Sequence, residues 1–226
     1  MIERHVYNPD LPREARLETD GPERLANRET LAITGASLLA ASQEVPPANR
    51  SQLETSIKTT WHGTVHPVSK WDEWKTTVQS QQPVLLLALP HAEGTGAEIS
   101  LEISGEKILS QLIDETFVRS TAKAPPIVFL LGCDVANVAS TEAYISNIAI
   151  FRQAQAAIIL GTIATVLGKD AAEIAAKLVT RLTKTVKGSK QRFGEVLRQT
   201  KREAVAESLM VALCLVGFGD ADWYLE

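Results

Sequence analysis

Apolar and polar residues follow two different periods along this chain. Four near-continuous apolar runs have the pattern of strands buried on both faces. They lie at 83–90, 126–132, 156–161 and 210–216. Between the runs, apolar residues recur every three or four positions, which is typical of amphipathic helices. The alternation of strands and helices predicts an α/β fold, with a mostly parallel central sheet and helices on both faces (an α/β/α sandwich).

Shorter segments add local detail. Alternation over residues 97–109, interrupted by a turn at Ser104-Gly105, predicts a small β-hairpin with one solvent-exposed face. A helix is expected to follow around Leu112 to Phe117. Trp71, Trp74 and Val78 share one helical face and predict another helix, capped by Ser69. The Ser-x-x-Glu pattern at 51–54 marks a third helix start.

The apolar pattern does not fix where the first strand begins and ends. Residues 31–36 form a short apolar run that could be a strand. Residues 37–42 could continue it or form a helical turn, and the pattern does not decide. Upstream, residues 1–28 lack periodicity and carry Pro9, Pro12, Gly21 and Pro22. This predicts an irregular N-terminal arm or linker at 1–28 and one folded domain at 29–226.

Composition narrows the class of protein. The chain has 226 residues, of which 45% are hydrophobic, enough for a sizeable core. A net charge of −4 gives no support for binding to nucleic acid or a membrane surface. No apolar run reaches the roughly 18 residues of a membrane-spanning helix, and the polar N-terminus does not match a signal peptide. Two cysteines in different apolar runs do not form a disulfide framework, so a cytoplasmic protein is expected.

Two of the apolar runs end in residues that can do chemistry together. The run 83–90 is followed by His91, and the run 126–132 by Cys133. Parallel sheets build their sites beyond the carboxyl ends of their strands. An imidazole placed there can take the proton of a thiol or stabilise the thiolate. The alternative is a buried cysteine and an incidental surface histidine.

The remaining candidates have weaker patterns. Cys214 is flanked by leucines and is predicted to be a packed core residue inside the last strand. Asp134 could be a solvated or capping acid, or could bind a basic side chain of a substrate. His62 and His66 have a helical metal-pair spacing, yet the intervening glycine and the following proline oppose a helix. No metal or cofactor is expected, and a nucleotide-binding domain is disfavoured because no glycine-rich strand-to-helix fingerprint occurs.

Several of these segments resemble CHAT domains, which belong to the caspase-like cysteine peptidases of the caspase, separase, legumain and gingipain clan. The similarity extends from about Leu31 to the end of the chain and is specific only around His91, Cys133 and Gly161. The matching segments are the strand ending in His91, the hairpin 99–108, Leu-Leu-Gly-Cys133-Asp, the strand 155–162, the helix 171–182 and the terminal 219–223.

The resemblance implies a cysteine endopeptidase acting on a peptide or protein substrate. His91 would be the general base and Cys133 the nucleophile, while the amides of Cys133 and Ala92 would stabilise the oxyanion. Such domains often follow sensor regions in bacterial signalling or defence proteins, so the arm would be a tether. The family usually has glycine directly after its histidine, whereas this chain has Ala92, with Gly94 two residues further on. The alternative function is an inactive caspase-like module that binds a protein partner through the same cleft.

Overall fold

Twelve strands and five α-helices form in the part of the chain that the computed structural model describes. The described residues are 30–31, 33–94, 98–119, 125–132, 141–164, 166–188, 191–219 and 223–225. The predicted arm at 1–28 lies outside them. The strands are β1 Thr30–Leu31, β2 Ser37–Ala41, β3 Val65–Pro67, β4 Leu85–Leu89, β5 His91–Glu93, β6 Ser100–Ile103, β7 Glu106–Leu109, β8 Ile127–Leu130, β9 Ile158–Thr162, β10 Gln191–Arg192, β11 Leu215–Gly219 and β12 Tyr224–Leu225. The helices are α1 Pro47–Thr60, α2 Trp71–Gln81, α3 Thr141–Gln153, α4 Gly168–Gly188 and α5 Phe193–Ala206.

The strands form three sheets, and the predicted α/β class is confirmed. The six-stranded central sheet has the order β11-β9-β8-β4-β2-β3. Its strands pair in parallel from β3 to β9, and β11 pairs antiparallel with β9. The β5-β6-β7 sheet is antiparallel, and the β1-β12-β10 sheet is mixed. The pairings of the three sheets taken together are therefore mixed, whereas the prediction described only a mostly parallel central sheet and a hairpin.

The apolar runs lie between two hydrophobic layers, which explains why they lack alternation. Along β4, Leu85, Leu87 and Leu89 pack in one layer, while Leu86 and Ala88 pack in the other. Helices α1, α4 and α5 supply residues to the first layer, and α2 and α3 to the second. Each strand residue thus removes apolar surface from water on one face or the other.

Helix α2 anchors the small antiparallel sheet to the core. The predicted stripe is buried, with Trp74 and Val78 fully inaccessible to solvent. The indole N–H of Trp71 donates to the Leu101 carbonyl at 3.1 Å, and that of Trp74 to the Phe117 carbonyl at 2.7 Å. These bonds satisfy the polar ends of two buried aromatic side chains. The Trp71 bond connects α2 to β6 of the sheet that carries His91, and the Trp74 bond connects α2 to the turn that ends at Phe117.

Three local predictions are wrong or incomplete. The expected helix at 112–117 is replaced by two short 3₁₀ turns, Ser110–Leu112 and Glu115–Phe117, the second capped by Asp114. Helix α1 begins at Pro47 rather than near Ser51, because proline is favourable at the first helical position. The undecided residues 37–42 contain β2, which pairs with both β3 and β4.

The last predicted strand is displaced. Residues Met210–Cys214 form a 3₁₀ turn, and β11 begins only at Leu215. Leu215 pairs with Thr162, where β9 ends, so the residues before it have no neighbouring strand to pair with. Cys214 is accordingly half-buried, which corrects its assignment as a packed core residue within a strand. None of the helices in the described ranges is long and apolar enough to span a membrane.

Candidate functional site

The carboxyl ends of β4 and β8 lie side by side in the middle of the central sheet. Leu130 pairs with Ala88, and the Leu131 N–H donates to the Ala88 carbonyl at 2.9 Å. Leu131 and Gly132, which continue the chain beyond β8, are both buried. The described residues that follow β4 and β8 therefore lie at one edge of the sheet, the edge where parallel sheets build their sites.

His91 lies at this edge, directly after β4 and Pro90. It opens β5, which leaves the central sheet and pairs with β6, so that His91 is level with Glu102. Its side chain retains 23% of its accessibility, and Nε2 lies 3.6 Å from Glu93 Oε1. Nδ1 is buried and has no hydrogen-bond partner in the described part of the chain. One ring nitrogen is thus near a carboxylate, and the other has no hydrogen-bond partner among the described residues.

Glu93 is itself bound to Lys107 on the neighbouring hairpin. The Lys107 ammonium donates to Glu93 Oε2, and this bond holds the pKa of the Glu93 carboxyl below its ordinary value. Burial opposes this bond as the second-largest effect on the pKa, and the charges of Lys107 and His91 lower the pKa by smaller amounts. Glu93 therefore carries its negative charge beside His91 throughout the neutral pH range.

Replacing Lys107 by methionine is expected to raise the pKa of Glu93 towards its ordinary value. Because the folded-state pKa lies below that of the unfolded chain, the pair stabilises the fold at neutral pH, and this effect disappears as the pH falls through the lowered pKa. The free energy of unfolding of the variant should be lower than that of the parent at neutral pH, and the two values should converge in acid. An NMR titration of the Glu93 carboxyl measures the shift. Lys58→Met, which removes the partner of Glu54, is the matched control and should leave Glu93 unchanged.

Glu102 is a site residue that the sequence did not reveal. Alternation along the hairpin placed it on the solvent-exposed face, yet it is only 6% exposed. Its carboxylate accepts from the Ser42 hydroxyl, the Gly105 N–H and, at 3.3 Å, the Gln43 N–H. The Ser42 N–H in turn donates to the Leu89 carbonyl at 2.8 Å. Glu102 thus connects the ends of β2 and β4 to the hairpin, opposite His91.

The predicted oxyanion residue Ala92 lies in β5, level with Leu101, and is half-buried against the core. The glycine of this segment is Gly94, which has a φ of +93°. A Cβ atom there would lie 2.5 Å from the Glu98 carbonyl oxygen. Glycine is therefore required by this turn two positions after the histidine, because both the backbone angle and the close approach exclude a side chain.

The other half of the predicted dyad lies outside the described residues. This applies to Cys133 and to the proposed substrate-binding Asp134. Within the described ranges, no group of three or more potential ligands could hold a metal ion. His66 is in β3, with Nε2 buried and without a hydrogen-bond partner among the described residues.

Comparison with known proteins places the fold in a class. No family model matches this sequence, and no curated protein matches it in sequence. The α/β architecture is nevertheless similar to solved structures. They include two crystal structures of the Saccharomyces cerevisiae separase–securin complex, with TM-scores of 0.52 and 0.53.

The likeness to separase is one of fold. The sequence identities are 14% and 13%, and each match covers 90% of this chain. The chain spans only 13% of the length of the chains it matches. A caspase-like α/β fold follows from this similarity, whereas the chemistry of the site has to be argued from the residues.

Proposed function

We propose that this chain is a cysteine endopeptidase domain of the caspase-like CHAT type, with His91 as general base and Cys133 as nucleophile. The observation that carries the proposal is the adjacency of β4 and β8. Their register pairs Leu85 with Ile127, and His91 and Cys133 are separated by the same number of positions in the sequence. Cys133 follows Gly132 directly in the sequence, and Gly132 is buried at this edge.

The proposed reaction uses Nδ1 of His91, which has no hydrogen-bond partner among the described residues. Nδ1 takes the proton of the Cys133 thiol, and the thiolate attacks the carbonyl carbon of the scissile peptide bond. The amides of Cys133 and Ala92 donate to the oxyanion. The C–N bond then breaks, the leaving amine takes the proton from the imidazolium, and water hydrolyses the acyl-enzyme. Asp134 would accept a basic side chain of the substrate.

The proposed setting is an effector domain in a cytoplasmic bacterial signalling or defence protein. Residues 1–28 would connect it to a sensor or regulatory region. The similar structures are complexes of separase with securin, which supports a protein substrate or partner for this chain. The second candidate is an inactive module that binds such a partner through the same edge of the sheet. It is supported by the half-buried Ala92, which stands where the CHAT domains that this sequence resembles usually have glycine.

Alkylation of the two cysteines tests the proposed dyad without knowledge of the substrate. The protein is treated with iodoacetamide at pH 6, where an isolated thiol is almost entirely protonated, and peptides are quantified by mass spectrometry. Cys133 is expected to react at least about tenfold faster than Cys214, because the imidazole stabilises its thiolate. Cys214 is half-buried and serves as the reference within the same sample.

Two histidine variants complete the test. His91→Ala should remove the rate advantage of Cys133, whereas His66→Ala, on the opposite side of β2, should preserve it. Equal reactivity of the two cysteines in the folded parent protein would contradict the dyad. That result, combined with capture of a partner by the intact domain, would favour the binding module.

A further inference from the structure

A cavity of about 280 Å³ lies beside the ends of β2 and β3, on the side of the central sheet where β3 is the outer strand. Its walls come from β2, the start of α1, the end of β3 with the residue after it, and the turn between β6 and β7. Its polar and helix-end lining residues are Pro47, Arg50, Ser51, Glu54 and Ser104. None of its described lining residues belongs to β4 or to β5, which begins at His91.

Arg50 gives the cavity its chemistry. It is the fourth residue of α1 and is half-buried, with Nε inaccessible to solvent. Nε has no hydrogen-bond partner in the described part of the chain. The carboxylate one turn along the helix, Glu54, accepts from Lys58 at 2.5 Å instead. A buried guanidinium nitrogen without a partner is costly, because desolvation is not offset by a hydrogen bond.

The start of α1 favours an anion at the same place. Pro46 provides no side-chain cap, and the first turn of the helix contains no acidic residue. The free N–H groups and the positive end of the helix dipole are therefore not neutralised within the helix. Pro47 and Arg50, which line the cavity, belong to this first turn, and Ser51 follows it directly.

The rest of the lining defines the kind of anion. Most of the other lining residues are apolar, namely Leu39, Ala41, Leu53, Pro67 and Val68. The volume is slightly below the roughly 300–1,000 Å³ of typical ligand pockets. Glu54 also lines the cavity and would repel a doubly charged phosphate. The cavity therefore fits a singly charged anionic group attached to a short apolar chain. Arg50 attracts the anion, Glu54 disfavours a second negative charge, and the apolar walls contact the chain.

We propose that this cavity binds a carboxylate on a short apolar stem, held by the Arg50 guanidinium. The planar guanidinium can donate two parallel N–H bonds to the two carboxylate oxygens. The stem then removes apolar surface of Val68 and its neighbours from water. Such a group can be a free carboxylic acid or the side chain of a glutamate in a protein segment.

Titration with hexanoate tests the proposal, with hexanamide as its uncharged equivalent. Hexanoate is expected to shift the backbone amide NMR signals of Ser51, Val68 and Ser104, whereas hexanamide should not. Arg50→Met, which keeps most of the apolar stem, should weaken binding by about 10- to 100-fold. Arg198→Met is the matched control, because Arg198 is an exposed helical arginine paired with Glu195, and it should leave binding unchanged.

A second variant tests the cavity even if the Arg50→Met protein does not fold. Ser51 is exposed at the mouth of the cavity, so Ser51→Trp should fill the space and block hexanoate while retaining Arg50. A short acetylated Leu-Glu-Leu peptide, compared with its glutamine form, distinguishes the source of the carboxylate. Tighter binding of the peptide than of hexanoate indicates a protein segment, and the reverse indicates a free acid.

Four results would overturn the assignment. The first is equal binding of hexanoate and hexanamide, and the second is unchanged hexanoate binding by Arg50→Met. The third is no binding of either hexanoate or the glutamate peptide by the folded parent protein. The fourth is tighter binding of hexyl phosphate than of hexanoate, which would identify a phosphate site instead.

Discussion

Replacing Cys133 by alanine is expected to abolish peptide-bond cleavage, with a loss of turnover on the order of 10⁴-fold or more. The proposed mechanism forms a covalent bond to the sulfur, and no other described group at this edge can substitute for it. Removing the nucleophile of such a unit leaves only the contributions of substrate binding and the oxyanion site. The measurement is a comparison of new protein N-termini in a cell extract after addition of the parent protein or the variant.

Cys214→Ala is the matched control for this experiment. Cys214 is a free thiol before β11, and its removal should leave the set of new N-termini unchanged. Circular dichroism should show that both variants are folded. Persistence of the same new N-termini in Cys133→Ala would contradict the assignment of the nucleophile. Absence of cleavage by the parent protein, together with equal alkylation of both cysteines, would contradict the peptidase itself.

The parts of the fold that the sequence predicted well are those in which burial is complete. Strands β4, β8 and β9 are buried on both faces, so their sequences contain almost no polar residue that could obscure the pattern. The α2 stripe was equally clear, because one face of the helix is buried and the other is solvated. The position of His91 at the end of β4 followed directly from the end of the apolar run.

The residues that were misread depend on partners distant in sequence. Met210–Cys214 is as apolar as a strand, but it lies beyond the point where β9 ends and so has no neighbour with which to form a ladder. Local pattern contains no information about where another strand stops. The same reason explains why Cys214 is half-buried rather than packed in the core.

Glu102 is the most informative misreading. Its position in an alternating hairpin favoured exposure, and the hydrogen-bond donors that allow its burial come from Ser42 and Gln43 in the segment after β2. Ser42 is 60 residues away in the chain. Burial of a carboxylate is tolerated only where several donors satisfy it, and donors so far away in sequence do not appear in a local pattern.

Replacing Glu102 by alanine is expected to lower the free energy of unfolding by about 1–3 kcal/mol. The substitution leaves the buried Ser42 hydroxyl without its acceptor, and an unsatisfied buried group costs about 1–3 kcal/mol. Gly105 and Gln43 are exposed, so their N–H groups can recover a bond from water, which limits the loss. Urea denaturation followed by tryptophan fluorescence measures the change, because Trp71 and Trp74 are buried against this sheet.

Glu98→Ala on the same hairpin is the control for this substitution. Glu98 is exposed, so its removal should change the free energy of unfolding by no more than about 0.5 kcal/mol.

Because Glu102 lies opposite His91 and joins the hairpin to the ends of β2 and β4, its loss should also reduce the alkylation advantage of Cys133 at temperatures where the variant is still folded. An unchanged advantage in a folded Glu102→Ala protein would show that His91 is positioned by Pro90 and β4 alone. Retention of full stability would show that water replaces the carboxylate and that the buried contact to Ser42 is not structural.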